Sequence, residues 1–160
     1  MLSGMPATST IPVRIASFAE LGAAELYALL RLRTDVFVVE QECAYPELDG
    51  RDTEPGTLHA WIADPEDPRT PLACLRVLDE PDGSARIGRV ATAPAARGRG
   101  LARLLLAAAL ERVGDREVRL DAQAYATGLY RSFGFAVCGP EFTEDGIAHV
   151  PMVRSSSAAE

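Results

Sequence analysis

The chain has 160 residues and a formal net charge of −7, with 48% apolar and 24% charged residues. Those figures fit one domain with a buried core; they exclude a non-specific nucleic-acid binder, which needs a basic face. All 16 cationic residues are arginine, so chemistry that requires lysine, a Schiff base or a Walker-type phosphate loop, is excluded as well.

Residues 1–10 and 155–160 predict flexible tails around a single domain at 11–154. The stretch MLSGMPATST lacks the basic and apolar regions of a signal peptide. No apolar run is long enough to span a bilayer, so no membrane partner is expected. Cys43, Cys74 and Cys138 show no CxxC spacing. Cys74 and Cys138 lie in apolar, strand-like runs and are expected to be buried and reduced, which fits a cytoplasmic protein.

In chain order, IPVRI (11–15) predicts a short strand. Within AELYALLRLRTDVFVVEQ, Leu26, Leu29, Leu30, Arg33 and Phe37 fall at helical spacing and predict an amphipathic helix. CAYPELDGRDTEPGT, with Pro46, Gly50, Pro55 and Gly56, reads as a loop. HAWIAD predicts a strand, PEDPRTP a turn and LACLRVLD a second strand. Asp82-Gly83 then predicts a hairpin into ARIGRVATA, where Gly88 marks a bulge or a close approach of ligand. Residues 98–113 predict a helix, EVRLDA a strand, and YATGLYRSFG a short helix ended by Gly134. FAVCGP and IAHVPMVR predict two closing strands. The order implies an α/β layer with a mixed sheet: antiparallel hairpins over 64–86, then a parallel crossover from 84–93 through the helix to 117–122.

Residues 86–103, RIGRVATAPAARGRGLAR, carry five arginines and no acid. A strand, a turn and a helix follow one another there. The first N–H groups of a helix lack internal partners and carry partial positive charge. Gly98 and Gly100 let the backbone curl toward a ligand, and Arg97, Arg99 and Arg103 add full charges. The combination suits phosphate or diphosphate; solvated arginines at a helix start are the plainer alternative. A dinucleotide fingerprint would need a third glycine where Arg103 stands, although Asp121 lies near the distance of a ribose-binding acid.

Arg97-Gly98-Arg99-Gly100-Leu101-Ala102 reads R-x-x-G-x-A on a strand-to-helix turn. It resembles the acyl-CoA diphosphate loop of the GNAT N-acetyltransferases. Tyr130, followed by Gly134-Phe135, resembles that family's Y-x-x-x-G-F element. LYALLRLRTDVFVVEQECAYPELDGRD, IGRV, LDAQAYATGLYRSFGF and EDGIAHVPM resemble its ElaA-like branch, so the similarity runs over about residues 11–154. It implies a single-domain GNAT fold: a mixed, mostly antiparallel sheet of about six to seven strands, flanked by about four helices, with a central splayed strand pair.

The resemblance also implies an N-acetyltransferase that moves an acetyl group from acetyl-CoA to an amine by direct attack, with no metal. The acceptor would be a small-molecule or protein amine, and a homodimer fits the family. Arg97, Gly98, Arg99, Gly100, Leu101 and Ala102 would hold the diphosphate. Backbone N–H groups around Val90, Ala91 and Thr92 would meet the thioester oxygen, with Pro94 helping to end strand pairing. Gln123 would hydrogen-bond the donor. Tyr130 would protonate the leaving thiolate, a transfer from a phenol of pKa about 10 to a group of about 8.5; a core tyrosine is its plainer reading, and Tyr125 is the weaker candidate. Bases for the amine are Glu40, Asp49, Asp52, His59, Asp145 and His149, of which Glu40 and His149 are carried forward as catalytic candidates. Asp49 and Asp52 also read as turn residues. The acids of 40–54 would suit a cationic amine or simply keep a loop soluble. A noncatalytic acyl-CoA-binding module is the alternative from another class. An acyl-homoserine lactone synthase, which shares an arginine-rich first helix leading to Val36-Phe37, is a further one.

Overall fold

The computed structural model describes residues 11–156. Strand β1 (Arg14–Ser17) leads through a 3-10 turn into helix α1 (Ala23–Thr34), which continues as a π-helical segment, Asp35–Glu40. A loop then crosses to β2 (Leu58–Asp64), β3 (Asp67–Asp79) and β4 (Ala85–Thr92). After β4 come a 3-10 turn at Pro94–Ala96, helix α2 (Leu101–Val113), β5 (Val118–Gln123) and α3 (Thr127–Arg131). Three strands close the chain: β6 (Ala136–Val137), β7 (Phe142–Glu144) and β8 (Ile147–Arg154). The sheet runs β1-β2-β3-β4-β5-β8-β6, with β7 also on β8.

The two-residue period of the strands sorts their side chains onto two faces. Ala60, Ile62, Ala73, Leu75, Val77 and Ile87 meet the buried stripe of α2: Leu101, Leu105, Leu106, Ala109, Leu110 and Val113. That stripe keeps helical spacing, which is why LARLLLAAALERV folds as a helix against the sheet. The alternate residues Trp61, Cys74 and Ala91 meet Leu29, Leu32 and Val36 on the other side.

The expected antiparallel hairpins and parallel crossover are present. The sheet has eight strands because the β7–β8 turn at Asp145-Gly146 makes one more hairpin. PEDPRTP is mostly strand, since Asp67 already pairs with Asp64. The second helix begins at Leu101, because Gly98 and Gly100 both take positive φ. Cys74 is buried as expected, and so is Cys43, whereas Cys138, expected to be buried, is exposed just beyond the short β6.

Two irregularities shape the centre of the sheet. Cys74 faces Ala91 and Arg76 faces Gly88, so Leu75 stands opposite both Arg89 and Val90. This is a β-bulge, and Arg89 adopts φ 54° within it. The sequence signal at Gly88 was therefore one residue away from the residue that bends. The parallel pairing of β4 with β5 covers only Ala85–Val118 and Arg86–Arg119. Beyond it the two strands splay apart, and β5 spends its other edge on β8.

Candidate active site

The splay opens beside the glycine-arginine turn. The first bond of α2 runs from Leu104 N–H to the Gly100 carbonyl at 3.3 Å. The N–H groups of Leu101, Ala102 and Arg103 precede it and have no carbonyl four residues back within the helix. Gly98 at φ 82° and Gly100 at φ 75° turn the chain into that helix. A left-handed residue with a side chain would be strained at either place. A pocket of about 220 Å³ forms there, lined by Thr92, Ala96, Arg97, Gly98, Gly100, Leu101, Ala102, Arg103 and Leu129. Among the described residues no carboxylate lines it, and its charged groups are Arg97 and Arg103. That donor set fits a diphosphate.

Arg99 belongs to the same turn but bends back to the Ala95 carbonyl at 3.3 Å and stays out of the pocket lining. Arg103, read from the sequence as one of the charges of the turn and as the residue that breaks a dinucleotide fingerprint, lines the pocket. It donates to Ser132 Oγ at 3.0 Å, and its guanidinium carbon lies 5.9 Å from the Phe133 ring centre. These contacts tie the turn to the end of α3.

Val90, Ala91 and Thr92 form the end of β4, just past the bulge. Ala91 is buried, while Val90 and Thr92 are half-buried. Across the splay, β5 ends at Gln123, whose side chain donates to Gln41 Oε1 at 3.4 Å. Arg97 Nε donates to the Thr92 carbonyl at 3.1 Å and its Nη2 to Glu40 Oε1 at 2.7 Å. The hydrogen bond from Arg97 holds the Glu40 carboxyl below the usual carboxylate range, which makes it a poor base in this arrangement.

Tyr130 sits on α3 with its ring in the core, edge-on to Phe135 at 6.1 Å. Burial, with a smaller contribution from the charge of Tyr125, pushes its phenol up to about 12. The group therefore keeps its proton at neutral pH. Tyr125 is 83% exposed and close enough to Arg97 and Tyr130 for their charges to interact. His149 on β8 lies opposite Gln123 in register and stacks on Phe142 at 5.6 Å. Its Nδ1 is 2.8 Å from the Ile147 carbonyl. Asp145 takes φ 52° in the β7–β8 turn, and its carbonyl accepts from Cys43 Sγ at 3.1 Å.

The remaining base candidates are structural. Three arginines and three carboxylates interlock beneath the loop after the π segment. Arg33 donates from Nε to Glu47 Oε1 at 2.6 Å and forks onto Asp52 at 2.7 and 3.2 Å. Arg76 forks onto Asp49 at 2.9 and 2.5 Å and reaches Asp52 at 3.1 Å. The bulge residue Arg89 places Nε 2.8 Å from Glu47 Oε2, off the line of a hydrogen bond, and donates from Nη2 to the Glu47 carbonyl at 3.1 Å. Its guanidinium also lies 5.6 Å from the centre of the Tyr45 ring, and the Tyr45 hydroxyl donates to Glu47. Burial pushes the Asp52 carboxyl up, but its hydrogen bonds and charge pairing with Arg33 and Arg76 outweigh burial and leave it lowered. Arg76 holds Asp49 well below the carboxylate range. His59 is buried with Nε2 3.0 Å from the Asp52 carbonyl, and burial lowers its pKa.

Five of the acids of 40–54 are therefore already paired with arginines. Glu47, Asp49 and Asp52 are spent in this network, Glu54 pairs with Arg51, and Glu40 pairs with Arg97. Asp49 and Asp52 are anchors that pin the loop to β3 and α1. The network also clamps Arg89 at the bulge that bends β4 ahead of Ala91.

The acetyltransferase (GNAT) domain family matches residues 52–156. A UPF0039 protein of Mycobacterium tuberculosis is 50% identical over 141 residues, covering 86% of this chain and 89% of that protein. The crystal structure of an acyl-CoA N-acyltransferase from Pseudomonas aeruginosa superposes with a TM-score of 0.84 at 39% identity, over 91% of this chain and all of that one. Escherichia coli ElaA is 38% identical over 144 residues (85% of this chain, 91% of that protein), and its crystal structure superposes with a TM-score of 0.84. The splayed β4–β5 pair, the glycine-arginine turn and these similarities agree, and the chain belongs to the GNAT acyltransferase family, with ElaA among its relatives.

Proposed function

We propose that the protein transfers an acetyl group from acetyl-CoA to the amine of a small molecule or protein in the cytoplasm. The observation that carries this reading is the opening between β4 and β5 beside a turn whose N–H groups and arginines suit a diphosphate. The bound thioester supplies an acyl carbon already activated toward amines.

The chain's own residues have separate tasks. Leu101, Ala102 and Arg103 direct helix-start N–H groups at the diphosphate, and Arg97 and Arg103 neutralise it. The end of β4, unpaired with β5 and turned by the bulge at Arg89, offers backbone N–H groups around Val90 to a carbonyl oxygen gaining charge. Tyr130 keeps its proton at neutral pH and holds it for the departing thiolate. Gln123 supplies an amide at the other lip of the opening. His149, opposite Gln123, is a candidate base that makes no ion pair among the described residues, as are the buried His59 and the turn residue Asp145.

The test is release of thiol from acetyl-CoA on addition of amines: polyamines, aminoglycosides and peptides with unblocked N-termini. Amine-dependent release that is lost in Arg97→Glu supports the reading. Tight donor binding without turnover on any of these amines would overturn transferase activity and leave a binding module.

A further inference from the structure

Arg97 stands where three things meet. It lines the pocket at the start of α2, its Nε bonds the carbonyl of the last residue of β4, and its Nη2 bonds Glu40 at the end of the π segment. The next residue, Gln41, accepts from Gln123, the last residue of β5. Glu40 and Gln41 therefore bridge both lips of the splay, one through Arg97 to β4 and the other directly to β5. The Arg97–Glu40 pair is half open to solvent, with side-chain exposures of 45% and 38%. Such pairs are weak, screened by salt and easily exchanged.

We propose that Arg97 is a latch with two alternative sets of partners: Thr92 and Glu40 in the position seen here, and the diphosphate of a thioester donor in the other. This rests on the donor reading above. When the diphosphate takes the guanidinium, the Thr92 carbonyl becomes available to an N–H-bearing donor arm laid along β4. The same exchange releases the Glu40 carboxylate at the mouth, where it can attract an ammonium acceptor. The carboxylate is therefore offered to the acceptor only after the donor has bound. In this role Glu40 recognises and times the acceptor and is not the base.

The experiment is calorimetric titration of the full chain with CoA, and separately with inorganic pyrophosphate, at two salt concentrations. Wild type, Glu40→Gln, Arg97→Ala and the double variant are compared. Removing the competing carboxylate should tighten CoA binding about two- to fivefold, the scale of one exposed ion pair. The gain should shrink as salt rises, recur with pyrophosphate and vanish on the Arg97→Ala background. CoA binding to wild type with no gain in Glu40→Gln overturns the latch and leaves the donor reading standing. So does an equal gain with and without Arg97, which would reflect general repulsion between the carboxylate and an anion. A wild-type chain that binds no CoA overturns the donor reading, and the latch with it.

Discussion

Arg33 and Asp52, 19 residues apart in sequence, meet fork to fork in a buried pair at 2.7 and 3.2 Å. Each is also held by a second partner, Arg33 by Glu47 and Asp52 by Arg76. Removing one charge from such a site leaves its partner buried and uncompensated. Arg33→Ala should therefore cost about 3–5 kcal/mol in urea unfolding. The Arg69 side chain is 91% exposed beside Asp67, so Arg69→Ala should change stability by less than about 0.5 kcal/mol. Similar small losses at both positions would show that the network does not anchor the loop.

Stability should fall in two stages as pH drops. Burial lowers the pKa of His59 in the folded chain, so the unfolded chain takes up a proton first. Stability is then lost as pH falls below about 6.5. Asp49 and Asp52 are also lowered in the folded chain. Their contribution is present above the unfolded value of about 3.9 and is lost as pH falls further, through the folded values. Unfolding midpoints from pH 8 to 3 should show both declines, and His59→Gln should remove most of the first. An unchanged first decline in that variant would place the titration elsewhere.

Gly100→Ala should destabilise the fold by about 1–2 kcal/mol, because alanine must adopt a left-handed φ at the start of α2. It should also weaken CoA binding, since the turn sets the direction of the helix-start N–H groups. Gly88→Ala is the control: Gly88 has no positive φ, and a Cβ there meets nothing within 4 Å. Equal effects at the two positions would remove the conformational requirement.

Tyr130→Phe keeps the ring against Phe135 and removes only the hydroxyl. Turnover should fall at least about a hundredfold, the low end of the effect of one positioned proton donor, which ranges over about 10²–10⁴-fold. Donor affinity should stay close to wild type. With its phenol up at about 12, Tyr130 should cause no loss of wild-type rate between about pH 7 and 10. A variant as fast as wild type with chemistry rate-limiting would end the proton-donor role.

The strand–turn–helix unit was legible in the sequence because its determinants are local. Glycines set the turn, arginines set its charge, and the apolar stripe of LARLLLAAALERV sets the packing. Arg33 falls at the helical spacing of the apolar residues of α1, but its partners lie 14 and 19 residues away and carry no periodicity. Asp49 and Asp52 accordingly read as turn residues in LDGRD, although they hold the loop to β3 and α1. The contact of Arg97 with Glu40 spans 57 residues and was equally hidden. So was the extent of the splay: the alternation of β5 is the same whether its neighbour is paired or parted. The apolar run around Cys138 also misled, because β6 has only two residues and lies at the sheet's edge, so it does not bury the thiol.

The most direct measurement is calorimetric titration of the protein with acetyl-CoA, with NADH as the comparison and Arg97→Glu as the variant. The splayed strands and the glycine-arginine turn predict saturable acetyl-CoA binding at one site per chain, no heat from NADH, and severe loss of acetyl-CoA binding in Arg97→Glu. No acetyl-CoA binding, or equal affinity in wild type and Arg97→Glu, would mean that the turn is only a charged helix start and that the donor site lies elsewhere.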